Sequence, residues 1–323
     1  MPIRRLSLRT LLVSLCLIAA WPAQSAPYPS HTVRIIMPFA AGGPLDLVAR
    51  MLADKFSKKF GQPFIVEDRP GAAGDIGGAM VAKSAPDGYT LLMTLSTTLT
   101  VNPLLYNTAT FDAGKDLRPI SIVTLNSQML VVHPSVPVHS VKEFVDYASK
   151  QPVNYAHAGY GSPGHLAMEY FRLKAGFKAT PVPYKGNAPL VSALIAGQIP
   201  CGFVASAGVL PQVKAGRLRA LAVSSKTRSA LAPDVPTIAE SGYPGFNMET
   251  FFLLMAPAAL PDPVATTLLQ AVREAMNAPD VQQRLRAIDL IPVATTGPEA
   301  KARIASDLQL WTGVVKAAHM RVN

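Results

Sequence analysis

A glycine-rich turn near the start of the chain is the feature best suited to chemistry. Val33 to Met37 is short, apolar and β-branched, which predicts a buried strand. Pro38 should end that strand because proline has no N–H for the ladder, and Gly42-Gly43 permits a sharp turn with a close backbone approach to a ligand. The pattern that follows predicts a helix over 45–60, whose free N–H groups and positive dipole end favour an anion. The sequence therefore predicts an anion receptor, with an ordinary tight turn as the alternative.

Motifs of the common enzyme classes are missing from the sequence. The residue two before Ser162 is Tyr160, so the Gly-x-Ser-x-Gly pattern of serine hydrolases is absent, and no acid is placed to orient His165. No His-Glu-x-x-His run or Cys/His cluster offers metal ligands. The glycine-rich segment 71–78 precedes a predicted helix but lacks the Lys-Ser/Thr of a phosphate loop. We therefore expect no enzyme, no cofactor and no metal site.

The N-terminus has the pattern of a secretory signal. Arg4 and Arg5 form a basic start, residues 11–20 are apolar, and small residues at Ser25 and Ala26 permit cleavage after about residue 26. The apolar run is too short for a spanning helix, and no later run is long enough. Leu15 is too bulky for the small residue expected before a lipidated Cys16. We expect export by a cleaved signal and release into a bacterial periplasm.

Charge and cysteine content exclude other classes. The formal charge of +10 falls to +7 when the signal with its three arginines is removed, which favours anionic partners. The basic residues are scattered, so nucleic acid is not an expected partner. Cys201 is the only cysteine beyond the signal and is expected to be a small buried apolar residue.

Strand-like and helical patterns alternate along the chain, which predicts an α/β protein with mostly parallel sheets. A capping box at Ser140 to Glu143 marks one helix start. The predicted strands are 33–37, 64–67, 90–94, 120–125, 129–132, 154–156, 180–183, 201–204, 218–223, 251–256 and 291–293. The predicted helices are 45–60, 74–83, 141–150, 165–175, 188–196, 209–215, 263–277, 280–288 and 298–319.

The chain is predicted to cross between two lobes twice, near 120–130 and near 250–256. Two strands that each cross once would form a hinge with a cleft beside it. The predicted division is a signal over 1–26, a first lobe from 27–125 and 250–323, and a second lobe from 126–249.

Several segments occur together in order. They are 37–46 (Met-Pro-Phe-Ala-Ala-Gly-Gly-Pro-Leu-Asp), 66–77, 85–92, 101–106, 160–167 (Tyr-Gly-Ser-Pro-Gly-His-Leu-Ala), 182–186, 194–199, 214–224 and 235–242. As an ordered set over essentially the whole mature chain, they resemble the substrate-binding receptors of tripartite tricarboxylate transporters, the Bug receptors. No single segment would be specific.

The resemblance implies an α/β, two-lobed periplasmic binding protein fold (type II-like), each lobe a mainly parallel sheet flanked by helices. It implies a monomer that closes on a small organic carboxylate, with a membrane permease as partner for some members. Two loops, one from each lobe, pinch the ligand largely through main-chain N–H groups and waters. The expected ligand contacts are Phe39, Ala40, Ala41, Gly42, Gly43 and Asp46 in the first loop, Ser96 and Thr97 beside it, Gly159, Gly161, Ser162 and His165 in the second loop, and Ser206.

Four of these side chains have competing interpretations. A carboxylate near an anion site repels the ligand, so Asp46 is expected to cap the helix or order water rather than touch the ligand. Ser162 either grips a carboxylate or caps its helix. His165 either gives the ligand a charge-assisted bond or is a surface histidine. Phe39 either covers the ligand or plugs the cleft base, and Lys185 is expected to be solvated.

Two departures from the family pattern bear on the ligand. Relatives that bind amino acids are expected to have an acid after Gly-Gln-Ile, and this chain has Pro200 there. A free amino group would then lack a partner in the closed cleft. Phe251-Phe252 replaces a tryptophan common in relatives and gives an aromatic wall, which suits an aromatic or bulky carboxylate.

Three hypotheses stay open at this point. Uptake of a di-, tri- or aromatic carboxylate leads, and a coreceptor that docks on a membrane sensor is the second. Neighbouring genes would separate them, since permease subunits favour uptake and a sensor kinase favours signalling. The third is a secreted hydrolase, which turnover of candidate esters would reveal.

Overall fold

The computed structural model describes residues 28–106 and 110–320, so the predicted signal lies outside the described residues. The strands are β1 Val33–Met37, β2 Phe64–Asp68, β3 Thr90–Leu95, β4 Leu117–Val132, β5 Val153–His157, β6 Ala179–Pro183, β7 Cys201–Ala205, β8 Arg219–Val223, β9 Glu249–Pro257 and β10 Leu290–Pro292. The helices are α1 Pro44–Phe60, α2 Asp75–Ala82, α3 Ser96–Thr100, α4 Asn102–Leu105, α5 Ala113–Asp116, α6 Val141–Lys150, α7 Pro163–Ala175, α8 Asn187–Ile195, α9 Ser206–Lys214, α10 Asp262–Asn277, α11 Pro279–Ala287 and α12 Gly297–Ala317.

The two lobes repeat one strand order. In the first lobe the order is β2-β1-β3-β9-β4, with β1 parallel to β2 and β3, and β9 antiparallel to β3. In the second lobe the order is β6-β5-β7-β4, with β5 parallel to β6 and β7, and β4 antiparallel to β7. β10 and β8 pair with β4 at the far edges. The predicted two-lobed α/β fold is confirmed.

The two strands predicted at 120–125 and 129–132 are one continuous strand, β4, which runs from the first lobe into the second. β4 pairs with β9 from Leu117 to Ser127 and with β7 from Gln128 to Val132. The polar residues Asn126-Ser127-Gln128 interrupt the apolar pattern, which is why 120–125 and 129–132 were predicted as separate strands. The backbone continues through them because Ser127 and Gln128 are buried at the crossing, where both sheets supply partners.

Ser224 ties the two crossing strands together at this point. Its hydroxyl accepts the N–H of Gln128 (2.8 Å) in β4 and donates to the carbonyl of Met248 (2.6 Å), just before β9. These are the segments that were predicted to cross between the lobes.

Each lobe has its own apolar core. In the first lobe α1 and α10 cover one face of the sheet around residues such as Val48 and Leu268. In the second lobe α6 and α7 pack around Phe144 and Phe171. α12 contacts both lobes, since Gly297 lies against the carbonyl of Pro119 and Trp311 packs edge-on against Tyr170. The assignment of residues 250–323 to the first lobe stays a prediction.

Most predicted elements are present within two or three residues of their predicted ends, but α3, α4 and α5 were not predicted. They have only four or five residues each, too few to show a helical apolar period. Ser140 caps α6 as predicted, since Ser140 Oγ accepts the N–H of Glu143 (3.1 Å), but the reciprocal half of the capping box is missing, because Glu143 Oε2 accepts the N–H of His139 (2.7 Å) rather than that of Ser140. Within the described ranges, no helix combines the length and apolarity that a membrane crossing requires.

Candidate functional site

The first loop joins β1 to α1 and is held by Asp46. Gly42 has a positive φ of 94°, and its N–H donates to Asp46 Oδ2 (3.0 Å), in the third residue of α1. Asp46 Oδ1 lies 2.7 Å from Arg50 Nε, so the carboxylate is paired one turn further along the helix. Asp46 therefore orders the loop through Gly42 and forms an ion pair with Arg50, while no side chain caps the N-terminus of α1.

The backbone at the tip of the first loop is exposed to solvent. Ala40, Ala41 and Gly42 are exposed, and Gly43 is partly exposed. A Cβ placed on Gly42 or Gly43 would meet nothing within 4 Å, and Gly43 has an ordinary φ of −87°. Within residues 28–106 and 110–320, the amides of Ala41 and Gly43 have no hydrogen-bond acceptor. Gly43 is therefore not required by its own turn geometry, and its N–H is free for a ligand.

The second loop joins β5 to α7 in the same way. Gly161 has a positive φ of 73°, and its N–H donates to Nδ1 of His165 (3.1 Å), again the third residue of the following helix. The N–H of Ser162 donates to the carbonyl of Gly159 (3.1 Å). For the described part of the chain, the amides of Gly159 and Tyr160 have no acceptor.

Two polar side chains of the second loop are enclosed. Ser162 Oγ is buried without a hydrogen-bond partner in the described structure, although Ser162 occupies the N-cap position of α7. His165 is only 3% exposed, so the interpretation as a surface histidine is wrong. Burial lowers the pKa of His165 to about 3, with further contributions from His157 and Arg172. The ring is neutral, so it cannot give the ligand the charge-assisted bond that was the other expectation.

Ser96 and Ser206 form a second matched pair. Each is the first residue of the helix that follows the third parallel strand of its lobe, and both are buried. Ser96 Oγ accepts the N–H of Phe251 (3.3 Å), and Ser206 Oγ lies 3.3 Å from Ser127 Oγ. Thr97, the next residue after Ser96, is also buried. The hydroxyls of Ser96 and Ser206 are therefore already engaged by β9 and β4.

Each loop faces the other lobe. A cavity of about 580 Å³ beside the first loop is lined by Gly42, Gly43 and Asp46 of the first lobe and by Ala207 at the start of α9. A Cβ on Gly161 would lie 3.0 Å from Leu105 Cδ1 at the end of α4, a residue that was predicted to belong to the first lobe and that packs in the same apolar cluster as Phe144. Gly159 and Ser162 do not line the 580 Å³ cavity, so the described structure does not enclose both loops in one pocket.

The floor of the first loop includes Phe39, which was expected to cover the ligand or plug the cleft base, and the 71–74 segment, which was not assigned to the site. Phe39 is partly buried against the first-lobe core, and its Cζ would lie 3.4 Å from a Cβ on Gly74. Thr98 would lie closer to that Cβ, at 3.1 Å, and its Oγ1 is buried without a partner in the described structure. Positive φ angles at Ala72 (46°) and Ala73 (52°) give this segment a strained backbone, which is typical of functional sites. The Gly-Ala-Ala-Gly run was the available signal.

Tyr160 was also not predicted. It is 45% exposed at the tip of the second loop, and its ring packs edge-on against His157 (5.1 Å) and His165 (5.4 Å). An exposed aromatic held between two flexible glycines was the signal that could have indicated it. Lys185 is exposed, as expected.

A second cavity of about 750 Å³ lies between α10, α12 and residues 113–120, and contains none of the predicted site residues. Within the described residues, no group of three or more His, Cys, Asp or Glu side chains is arranged to hold a metal.

Comparisons with a family model, with known sequences and with solved structures all point to one family. A model for the tripartite tricarboxylate transporter family receptor matches residues 48–320. The chain is 35% identical to protein BugT of Bordetella pertussis over 300 residues, which cover 92% of each chain. Among solved structures, R. palustris Rpa4515 with adipate is 31% identical with a TM-score of 0.81, covering 91% of this chain and all of its own. MatC (Rpa3494) from Rhodopseudomonas palustris with bound malate is 29% identical with a TM-score of 0.75, covering 89% of this chain and all of its own.

Proposed function

Since this chain belongs to the tripartite tricarboxylate transporter receptor family, we propose that it captures a small organic di-, tri- or aromatic carboxylate in the cleft between its lobes for uptake. The observation that carries this is the pair of matched loops. Each brings free backbone amides and a helix N-terminus to the interlobe region, one from each lobe. Such groups stabilise an anion without any basic side chain. Relatives solved with adipate and with malate support the same ligand class.

The two loops have separate carboxylate-binding elements. The amides of Ala41 and Gly43 serve the first loop, and the amides of Gly159 and Tyr160 with the hydroxyl of Ser162 serve the second. A ligand with two carboxylates can use both loops, while an aromatic acid would use one loop and an apolar wall such as Tyr160. The buried, unpartnered Ser162 Oγ favours a ligand that accepts a hydrogen bond there, because an unsatisfied buried hydroxyl costs free energy.

The site favours plain acids over their α-amino analogues. Asp46 is the acid of the first loop, and it is already paired with Arg50 (2.7 Å). Position 200, where an acid is expected in relatives that bind amino acids, is proline. A ligand ammonium would then lose its hydration without gaining a charged partner.

We infer that the chain acts as a receptor rather than as an enzyme. Ser162 and His165 lie on one loop, but His165 Nδ1 is occupied by the N–H of Gly161 rather than by a carboxylate. The nearby acid, Glu169, is bonded to Tyr155 and Arg172. A serine nucleophile would therefore lack an oriented base.

Location and partner follow from the family. We infer that residues 1–26 direct export to the periplasm, where the loaded receptor presents its ligand to a membrane permease of the tripartite type. The chain is proposed to act as a monomer.

Thermal-shift screening of the mature chain tests the ligand class. The panel should hold malate, adipate, citrate and benzoate, each beside an α-amino acid of similar size such as aspartate, glutamate or phenylalanine. A true ligand at a hundred times its dissociation constant adds about 2.7 kcal/mol of stability. Calorimetry should then confirm one site per chain. Tighter binding of the amino acids, or no shift with any carboxylate, would contradict the proposal.

A further inference from the structure

Two imidazole rings lie directly beneath the second loop. His157 ends β5 and His165 lies in the first turn of α7, and their rings stack at 4.4 Å between centroids. Both residues are buried, at 0% and 3% exposure.

The two imidazole rings differ in their hydrogen bonds. His165 Nδ1 accepts the N–H of Gly161 at 3.1 Å, so this nitrogen must be unprotonated. Both ring nitrogens of His157 are buried and have no well-aligned hydrogen-bond partner in the described structure. The hydrogen bond to the loop therefore belongs to His165 alone.

The groups around His165 do not balance a positive ring. Tyr155 and His157 face it from β5, Tyr160 faces it from the loop, and Glu169 and Arg172 share its helix. Glu169 is already engaged by the hydroxyl of Tyr155 and by the guanidinium of Arg172. An imidazolium would also place an N–H against the N–H of Gly161. The neutral ring fits, and the charged ring does not.

Gly161 lies between the two residues of the second loop that present polar groups, so its backbone conformation sets the direction of those groups. Its N–H bond to His165 fixes a left-handed conformation between Tyr160 and Ser162, the residues that present an amide and a hydroxyl. Without that bond, nothing in the described structure holds the N–H of Gly161, and the neighbouring groups lose their common direction.

We propose that His165 is the positioning residue of the second ligand loop: as a neutral hydrogen-bond acceptor it holds Gly161, and so aims the amides of Gly159 and Tyr160 and the Ser162 hydroxyl at the carboxylate. The inference rests on the proposed function for its ligand but not for its geometry. It departs from the expectation that His165 touches the ligand.

The experiment compares variants that keep or lose the acceptor. In H165N the amide oxygen can take the place of Nδ1, whereas H165L has no acceptor. With whichever of malate or adipate binds the parent more tightly, we expect H165N to bind within about threefold of the parent and H165L to bind about tenfold or more weakly. H157F is the matched control, because it keeps a buried ring in the stack and removes no bond to the loop. It should bind as the parent does.

Two measurements on the ligand-free protein are independent of the proposed function. Nitrogen NMR of the labelled imidazoles should show His165 neutral, with Nδ1 unprotonated, from pH 8 to pH 5. Amide exchange at Gly161 should accelerate about tenfold in H165L but not in H165N. These results support positioning even if neither acid binds the parent, an outcome that would contradict only the ligand assignment.

Three results would overturn the inference. They are a His165 that titrates between pH 8 and pH 5, an unchanged Gly161 exchange rate in H165L, or equal affinity of the folded H165L protein and the parent. Equal losses in H157F and H165L would show that packing, rather than the hydrogen bond, controls the loop, and would also overturn it.

Discussion

Asp46 and His165 occupy the same position in the two lobes. Each is the third residue of the helix that follows the first strand of its lobe, and each accepts the N–H of the glycine four residues earlier, at 3.0 Å for Gly42 and 3.1 Å for Gly161. One loop is held by a carboxylate that Arg50 neutralises, and the other by a neutral imidazole. Both lobes thus order their glycine loops without leaving a net charge beside the ligand.

Replacing Asp46 should test this ordering in the first loop. D46A removes the acceptor for Gly42 and the partner of Arg50, and a lost charge-assisted bond is worth about 1.5–3 kcal/mol. We expect about ten- to a hundredfold weaker binding of the preferred acid by calorimetry. D46N keeps an acceptor and should recover part of the loss. D146A, which removes an exposed pair with Lys142 on α6, should leave affinity unchanged.

Gly43 offers a direct test of backbone approach. Its φ is ordinary and a Cβ would touch nothing within 4 Å, so G43V should fold, with at most about 1 kcal/mol lost from the helix N-cap. If a carboxylate binds this amide, the side chain should obstruct it and weaken binding about tenfold or more. Calorimetry with urea unfolding separates the two effects. A folded G43V that binds like the parent would place the site elsewhere in the cleft.

Ser162 should show opposite effects on stability and binding. Its hydroxyl is buried without a partner, so S162A should leave the free energy of unfolding unchanged or raise it, while affinity falls several-fold. S140A is the matched control, because Ser140 does cap its helix at 3.1 Å from the N–H of Glu143. That variant should lose about 1 kcal/mol of stability and keep full affinity. Loss of stability without loss of affinity in S162A would assign Ser162 to capping.

The local chemistry of the first loop could be predicted from sequence because it depends on near neighbours. Pro38, Gly42 and the helix start at Pro44 specify the turn whatever surrounds it, and the acceptor at Asp46 is only four residues from its donor. The Gly161 loop follows the same spacing. The sequence therefore indicated both glycine loops and both helix starts, but it predicted neither the bond of Gly42 to Asp46 nor that of Gly161 to His165.

The burial of side chains and the pairing of segments far apart in the chain could not be predicted from the sequence in this way. His165 is polar and next to a turn, which favours the surface, but β5 brings His157 against it from eight residues earlier. The continuity of β4 through Ser127 and Gln128 depends on partners in both sheets. The contacts of Gly161 with Leu105 and of Gly43 with the cavity beside Ala207 exist only once the lobes face each other.

Closure should follow ligand binding, because the lobes are joined at β4 and β9 with Ser224 bridging them. Small-angle scattering of the parent with saturating ligand should give a smaller radius of gyration than the ligand-free protein. The control is the folded G43V variant at an acid concentration at least tenfold below its own measured dissociation constant, where it should keep a radius close to the ligand-free one. An unchanged radius in a parent shown by calorimetry to be saturated would contradict the hinge.

Stability should fall in acid because of the histidine pair. Burial lowers the pKa of His165 from 6.5 to about 3 and also lowers the pKa of His157. Below pH 6.5 the unfolded chain binds protons that the folded chain excludes, so the free energy of unfolding decreases as pH falls. For His165 the slope approaches about 1.4 kcal/mol per pH unit between the two pKa values, and His157 contributes with the same sign. Burial raises the pKa of Glu249 and Asp307, which acts in the opposite direction.

The test is therefore the difference between parent and H165N in urea unfolding, measured at pH 7 and pH 5. The parent should lose about 2 kcal/mol more than the variant across that interval. H157F should differ from the parent with the same sign. A difference that does not change with pH would mean that His165 is protonated in the folded protein as readily as in the unfolded chain.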